Sequence, residues 1–211
     1  GIPKKSQIRF AKELINDNNN IFLFARPGYF IRERGSSEED RYSSGPRNAI
    51  KSTVVNYDWK NFQILAPALQ NLKKYYKPKK LILIGHSGGA YQGGTIHGKV
   101  PGLVDINILI SCPCDWEIRK KLSNGKKWET KSQLKELKKN SPSFNYKDID
   151  LKSLNILIVG KDDKNTAPGV SKYYYDLLKK KKLQVKLHII DGGHGLRSMP
   201  TIGSIIKEYI N

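Results

Sequence analysis

Five short apolar runs separated by amphipathic stretches constrain this chain more than any other feature of its sequence. They are Ile21–Ala25, Lys80–Ile84, Leu103–Ser111, Leu154–Val159 and Gln184–Ile190. Ile21–Ala25 and Leu81–Ile84 are apolar without a break, as strands buried on both faces are, and strands that alternate with helical segments are joined by parallel crossovers. The segments between them carry the helical period. Lys5–Asn18 places Ile8, Ala11, Leu14 and Ile15 on one face, and Asp58 stands as a cap before Phe62, Leu65, Leu69, Leu72 and Tyr76. A helix starts at Gly88, another covers Val170–Lys181, and a last one runs over Ile202–Ile210. The spacing predicts a predominantly parallel sheet of about five strands, with helices on both faces, built as one domain over residues 1–211. Trp116–Asn140 is highly charged and broken at Asn124-Gly125, which suits a small helical cap over the sheet edge, and Glu33–Ser52 reads as a long surface loop.

A formal net charge of +19 raises the question of a nucleic-acid partner. The cations are mostly Lys, scattered over helix ends and loops from Lys4 to Lys182, without the interleaved aromatics and Arg forks that read bases. A solvated basic surface is therefore expected, with no specific nucleic-acid site. No apolar run approaches the roughly 20 residues of a membrane span. Cys112 and Cys114 are the only cysteines. Two residues apart, they read as small buried thiols rather than a bridge, which fits a reducing, cytoplasmic setting. Four dispersed histidines and two cysteines offer no metal-ligand spacing, so neither metal nor cofactor is expected. The chain opens Gly1-Ile2-Pro3 without Met, as a fragment or processed form would, and a targeting signal could precede it.

Chemistry concentrates at three turns. Gly85-His86-Ser87-Gly88-Gly89 is a G-x-S-x-G turn between an apolar strand and a helix, a setting that exposes the serine hydroxyl. Side chains at Gly85 and Gly89 would collide with neighbouring elements, and the Gly88 N–H at the helix start would face a developing oxyanion. Asp162 and Asp163 follow the fourth apolar run, at the carboxyl edge of the sheet where α/β sites lie. Asp163 suits an acid that orients a histidine. Asp162 is the alternative, or holds the turn by an Asx-type bond. His194, flanked by glycines in Asp191-Gly192-Gly193-His194-Gly195, follows the fifth run and can reach the serine as its base. Asp191 better suits shaping that loop. His86 reads as a packed neighbour of the turn, His97 and His188 as structural, and Tyr29 and Trp116 as candidate pocket walls.

In this order the chain resembles the α/β-hydrolase superfamily, in particular its prolyl-oligopeptidase-like and esterase-like serine hydrolases. The likeness rests on Arg26-Pro27-Gly28-Tyr29, Gly85 to Gly89, Ser111-Cys112-Pro113-Cys114-Asp115, Gly160 to Pro168, and Gly192 to Gly195. It implies a three-layer α/β-hydrolase fold with Ser87, Asp163 and His194 as triad, acting without a cofactor on a small ester, thioester or short peptide. Family members carry three further strands before the one matching Ile21–Ala25, the third of which feeds the oxyanion loop. Gly1-Ile2-Pro3 resembles the tail of that loop, so the resemblance implies Gly1 or Ile2 as a second oxyanion donor, Pro3 having no N–H. An exopeptidase or oligopeptidase, using a group from Arg32–Arg47 to hold a peptide end, is the alternative enzyme. A non-catalytic basic binding module on the same fold is the alternative from another class.

Overall fold

The computed structural model describes residues 5–24, 57–122, 131–195 and 200–210. Four parallel strands form its sheet: β1 (Ile82–His86), β2 (Ile106–Ile110), β3 (Leu154–Gly160) and β4 (Gln184–Ile190), in the order β1-β2-β3-β4. The helices are α1 (Lys5–Leu14), α2 (Trp59–Phe62), α3 (Leu65–Tyr76), α4 (Gly88–Lys99), α5 (Trp116–Leu122), α6 (Lys131–Lys139), α7 (Pro142–Asn145), α8 (Pro168–Lys180) and α9 (Pro200–Ile210), with a 3-10 turn at Tyr146–Asp148.

Alternation along the central strands builds the layers. Ile106, Ile108 and Ile110 on β2 and Ile156 and Ile158 on β3 pack against Phe10 and Leu14 of α1 and Ile202, Ile205 and Ile206 of α9. Leu109 and Leu157 point the other way, onto Ala90 of α4 and Tyr174 and Leu178 of α8. A third cluster joins Phe62, Ala66 and Leu69 to Tyr91, Ile96, Trp116 and Leu137. All five residues of β2 are buried, Asn107 among them, which is why the other four are Ile or Leu without alternation. Among the described residues no helix is long and apolar enough to cross a membrane.

Three expectations are corrected. Residues 21–24 join no ladder, and Phe22, Leu23 and Phe24 are exposed, so the described part of Ile21–Ala25 is not a strand. An apolar run becomes a strand only where a neighbour supplies hydrogen bonds. The first helix ends at Leu14 and buries Phe10, Ala11 and Leu14, leaving Ile8 and Ile15 exposed. Cys112 and Cys114 are not separate thiols. Ser111 takes a φ of 49°, turning the chain at the end of β2, and the two cysteines, 5.0 Å apart at Cα, form a buried disulfide. Unpaired thiols therefore give no support to a reducing compartment.

His97 on α4 is fully buried. Ser153 donates its hydroxyl hydrogen to the Asp150 carbonyl, so its oxygen accepts from His97 Nε2 at 3.1 Å, and His97 Nδ1 has no partner among the described residues. Burial pushes the imidazole down to about 4, against the pull of Asp150 and Asp105. An unfolded chain protonates this group near its ordinary 6.5, so between that value and about 4 the unfolded state binds more protons and stability falls as pH drops. Urea denaturation at pH 7.5 and 4.5 should show His97 costing the folded chain about 2–3 kcal/mol over that interval. His97→Gln, which does not titrate, should lose that much less. Equal losses in the two proteins would assign the acid sensitivity elsewhere.

Candidate active site

The carboxyl edge of the sheet is stepped. Ser87 N–H donates to the Ile110 carbonyl, Ser111 N–H to that of Ile158 and Lys161 N–H to that of Ile190, each at 2.8 Å. Each of the first three strands thus hands its outgoing turn to the end of the next, and the turns after β1, β3 and β4 converge.

Ser87 sits between β1 and α4 with φ 53° and ψ −118°, outside the favoured regions for a side-chain-bearing residue. The turn is this tight because nothing separates it from the helix: a Cβ on Gly85 would lie 2.5 Å from the Gly89 carbonyl oxygen and 2.6 Å from Ala90 Cα. Gly89 itself has nothing among the described residues within 4 Å of the corresponding position, so they do not supply the collision expected there. Gly88 is the first residue of α4 and is buried.

His194 bridges the other two turns. Its Nε2 lies 2.9 Å from Ser87 Oγ, and its Nδ1 donates to Asp163, 2.9 Å from Oδ2 and 3.1 Å from Oδ1. Asp163 is 2% exposed. Burial alone would raise its carboxyl, but the hydrogen bond from His194 and that from the Thr166 N–H outweigh it and hold the group below the usual carboxylate value. The Asx-type bond foreseen for Asp162 is made by Asp163, whose Oδ1 accepts from the N–H groups of Asn165 and Thr166 at 2.9 and 2.8 Å. Asp162 is exposed and contributes a backbone N–H to the Gly192 carbonyl at 3.0 Å. Asp191 pairs with Lys161 at 2.8 Å, tying the two loops at their bases. Gly192, with φ 121°, turns the chain where other residues would be strained.

The remaining sequence-selected residues divide. His86 does not address the serine: its Nε2 donates to the His194 carbonyl at 2.7 Å, with the rings 5.2 Å apart. His188 meets the Tyr209 hydroxyl at 3.1 Å. Trp116 is 3% exposed, set edge-on to Tyr57 and covered by the Arg119 guanidinium at 4.4 Å. Gly1, Ile2 and Tyr29 lie outside the described residues. Three residues escaped sequence reasoning. Thr166 Oγ1 donates to the Ser111 carbonyl at 3.1 Å and lies 3.0 Å from His194 Nδ1. Asn165 Nδ2 lies 3.0 Å from His194 Nε2, and Arg119 Nη2 donates to Asn165 Oδ1 at 2.7 Å. Thr166 and Asn165 follow the Asp163 turn and were findable by proximity, whereas nothing local connects Arg119 to a residue 46 positions away.

A parallel sheet layered by helices, with a strained serine after one strand and a histidine loop meeting it from another, defines the α/β-hydrolase fold. Residues 17–208 match the prolyl oligopeptidase family. The chain belongs to that family. Solved structures of the same fold include the Pyrococcus horikoshii acylaminoacyl peptidase, at 19% identity and TM-score 0.61 over 72% of this chain and 27% of that one. A Pyrococcus furiosus esterase superposes with TM-score 0.57 at 20% identity, over 79% of this chain and 65% of its own. A prolyl endopeptidase gives 0.58 at 17% identity, over 67% and 23%. The chain spans about a quarter of the length of the peptidases it resembles. No curated protein matches the sequence significantly.

Proposed function

We propose that the chain carries the acyl-transfer site of a serine hydrolase, with Ser87 as nucleophile, His194 as general base and Asp163 as the acid that orients it. One observation carries this reading: a single imidazole stands 2.9 Å from a serine hydroxyl on one nitrogen and 2.9 Å from a buried carboxylate on the other. Ser87 Oγ attacks the substrate carbonyl carbon while its proton passes to His194 Nε2, and Asp163 balances the imidazolium that forms. The Gly88 N–H, at the first residue of α4, donates to the oxyanion. Ile2 is the second donor in this reading. Collapse of the tetrahedral species passes the His194 proton to the leaving alcohol or amine. Water, deprotonated by the same imidazole, then attacks the acyl-serine, and the acid product leaves with Ser87 regenerated.

Membership of a peptidase family favours a peptide amide as the bond cleaved, and the esterase fold relative makes an acyl ester the second substrate class. A peptide p-nitroanilide with a free amino end, its N-acylated counterpart and p-nitrophenyl butyrate separate these classes. Turnover of either anilide, abolished by Ser87→Ala, is the expected result. A preference for the free amino end would identify an exopeptidase, and turnover of the ester alone would restrict the chain to ester hydrolysis. Failure on all three, together with no covalent labelling of Ser87 by a fluorophosphonate, would overturn the hydrolase reading.

A further inference from the structure

The contacts of Asn165 on His194 are unusual for a residue beside a base, because the amide meets the nitrogen that must accept the serine proton. Both Ser87 Oγ, at 2.9 Å, and Asn165 Nδ2, at 3.0 Å, face His194 Nε2. The two ends of a carboxamide have the same shape and opposite hydrogen-bonding sense, so what faces the imidazole depends on what holds the other end. Arg119 holds it. Its Nη2 donates to Asn165 Oδ1 at 2.7 Å and its Nε to the Asn165 carbonyl at 3.1 Å. A guanidinium has donors only, which forces the amide oxygen towards Arg119 and the amide N–H towards His194.

Arg119 is itself fixed. Its guanidinium lies over Trp116, which is buried against Tyr57 and Tyr91. The helix that bears it is capped by Asp115, which accepts from Ile118 N–H at 2.8 Å and from the Ser143 hydroxyl at 2.7 Å. From these contacts we infer that Arg119, acting through Asn165, holds His194 in its proton-accepting form. An amide N–H opposite Nε2 is favourable only while Nε2 carries a lone pair. With Nδ1–H committed to Asp163, that is the form that can take the Ser87 proton. Once Nε2 is protonated, the same N–H opposes it and favours passing the proton on to the leaving group. Without Arg119 the amide is free to rotate and present its oxygen, which would stabilise the protonated ring and withhold the base. Arg119 is in this sense a positioning residue, and the inference rests on the serine-hydrolase reading.

The test is the pH dependence of the second-order rate of fluorophosphonate labelling, followed by intact mass from pH 5.5 to 9. It compares wild type, Arg119→Met, Asn165→Ala and the double variant, each checked for an unchanged melting curve. Among the described residues, Asp163 and His86 are the other charged or titratable groups that contact His194, with Lys161, Asp162 and Asp191 in the two loops that meet there, and all are common to the four proteins. Arg119→Met keeps an unbranched side chain of similar length and loses the fork, including the guanidinium that lies over Trp116. Its midpoint should move to higher pH, so that labelling at pH 6.5 relative to pH 8.5 falls about three- to tenfold. In the Asn165→Ala background the same substitution should change that ratio by less than about twofold. Loss of a nearby positive charge would by itself raise the midpoint, but equally in both backgrounds. An equal shift in the two, or an Arg119→Met profile that superimposes on wild type, would overturn the inference. Wild type that is not labelled at any pH would remove the serine-hydrolase reading and the inference with it, whereas labelling with unmoved profiles removes the inference alone.

Discussion

Fluorophosphonate labelling of the folded chain should disappear in Ser87→Ala and slow by about 10⁴-fold or more in His194→Ala. The magnitude follows from the geometry. A serine hydroxyl is a weak nucleophile until a base takes its proton during attack, and the only imidazole nitrogen within hydrogen-bond reach of Ser87 Oγ among the described residues is His194 Nε2. Asp163→Asn should come close to the same loss, about 10⁴-fold, although its shape is unchanged. The carboxylate accepts from Nδ1, which leaves Nε2 as acceptor, whereas an amide in its place can donate to Nδ1 and reverse the tautomer. Asp162→Asn, at an exposed side chain with no bond to the ring, should label at close to the wild-type rate. Intact mass spectrometry across the four variants checks the set, and rapid labelling of His194→Ala would refute the assignment of the base.

Gly160→Ala should impair both the site and the fold. A Cβ there would lie 2.2 Å from the Gly192 carbonyl oxygen and 2.7 Å from its carbon, with the Gly193 oxygen at 2.9 Å. All three are backbone atoms, so no side chain can swing aside. The turn carrying Asp163 and the loop carrying His194 would have to part, although they meet at the hydrogen bond from Asp162 N–H to Gly192 O. A forced backbone shift of this kind costs about 1–3 kcal/mol, and a displacement of roughly 1 Å at the base is enough to cost about 10²-fold in rate. Gly89→Ala provides the contrast. With nothing among the described residues within 4 Å of the new methyl, and a helical position that disfavours glycine, it should be neutral or stabilise by up to about 1 kcal/mol. Thermal denaturation and labelling rates of the two variants measure both effects. A Gly160→Ala protein that melts and labels like wild type would show that the two loops are not held by this contact.

Local patterns make much of this legible in the sequence. The alternation of apolar runs with helical periods announces parallel strands, and four of the five runs are strands in one sheet in chain order. The turn at Gly85 to Gly89 is readable because its demand is local: a strand, a strained serine and a helix within a few residues leave no room at Gly85. Ser87, Asp163 and His194 are also readable as candidates, since each follows the end of a run and parallel strands bring such ends to one edge.

Tertiary structure decided what depends on partners distant in the chain. Residues 21–24 have a strand's composition but no ladder, because hydrogen-bond pairing is a property of two segments and not of one. Whether Asp162 or Asp163 meets His194 turned on the rotation of one tight turn, set by N–H groups that Asp163 itself gathers. The joining of Cys112 to Cys114 comes directly after a positive φ at Ser111, a backbone state that composition does not announce. Arg119 reaches Asn165 only because α5 and the turn after β3 are packed side by side. Periodicity and turn chemistry are written in neighbouring residues and so determined the layers and the edge that bears the site. Which atoms face each other across that edge follows from packing between segments 28 to 108 residues apart, and only the folded chain contains that information.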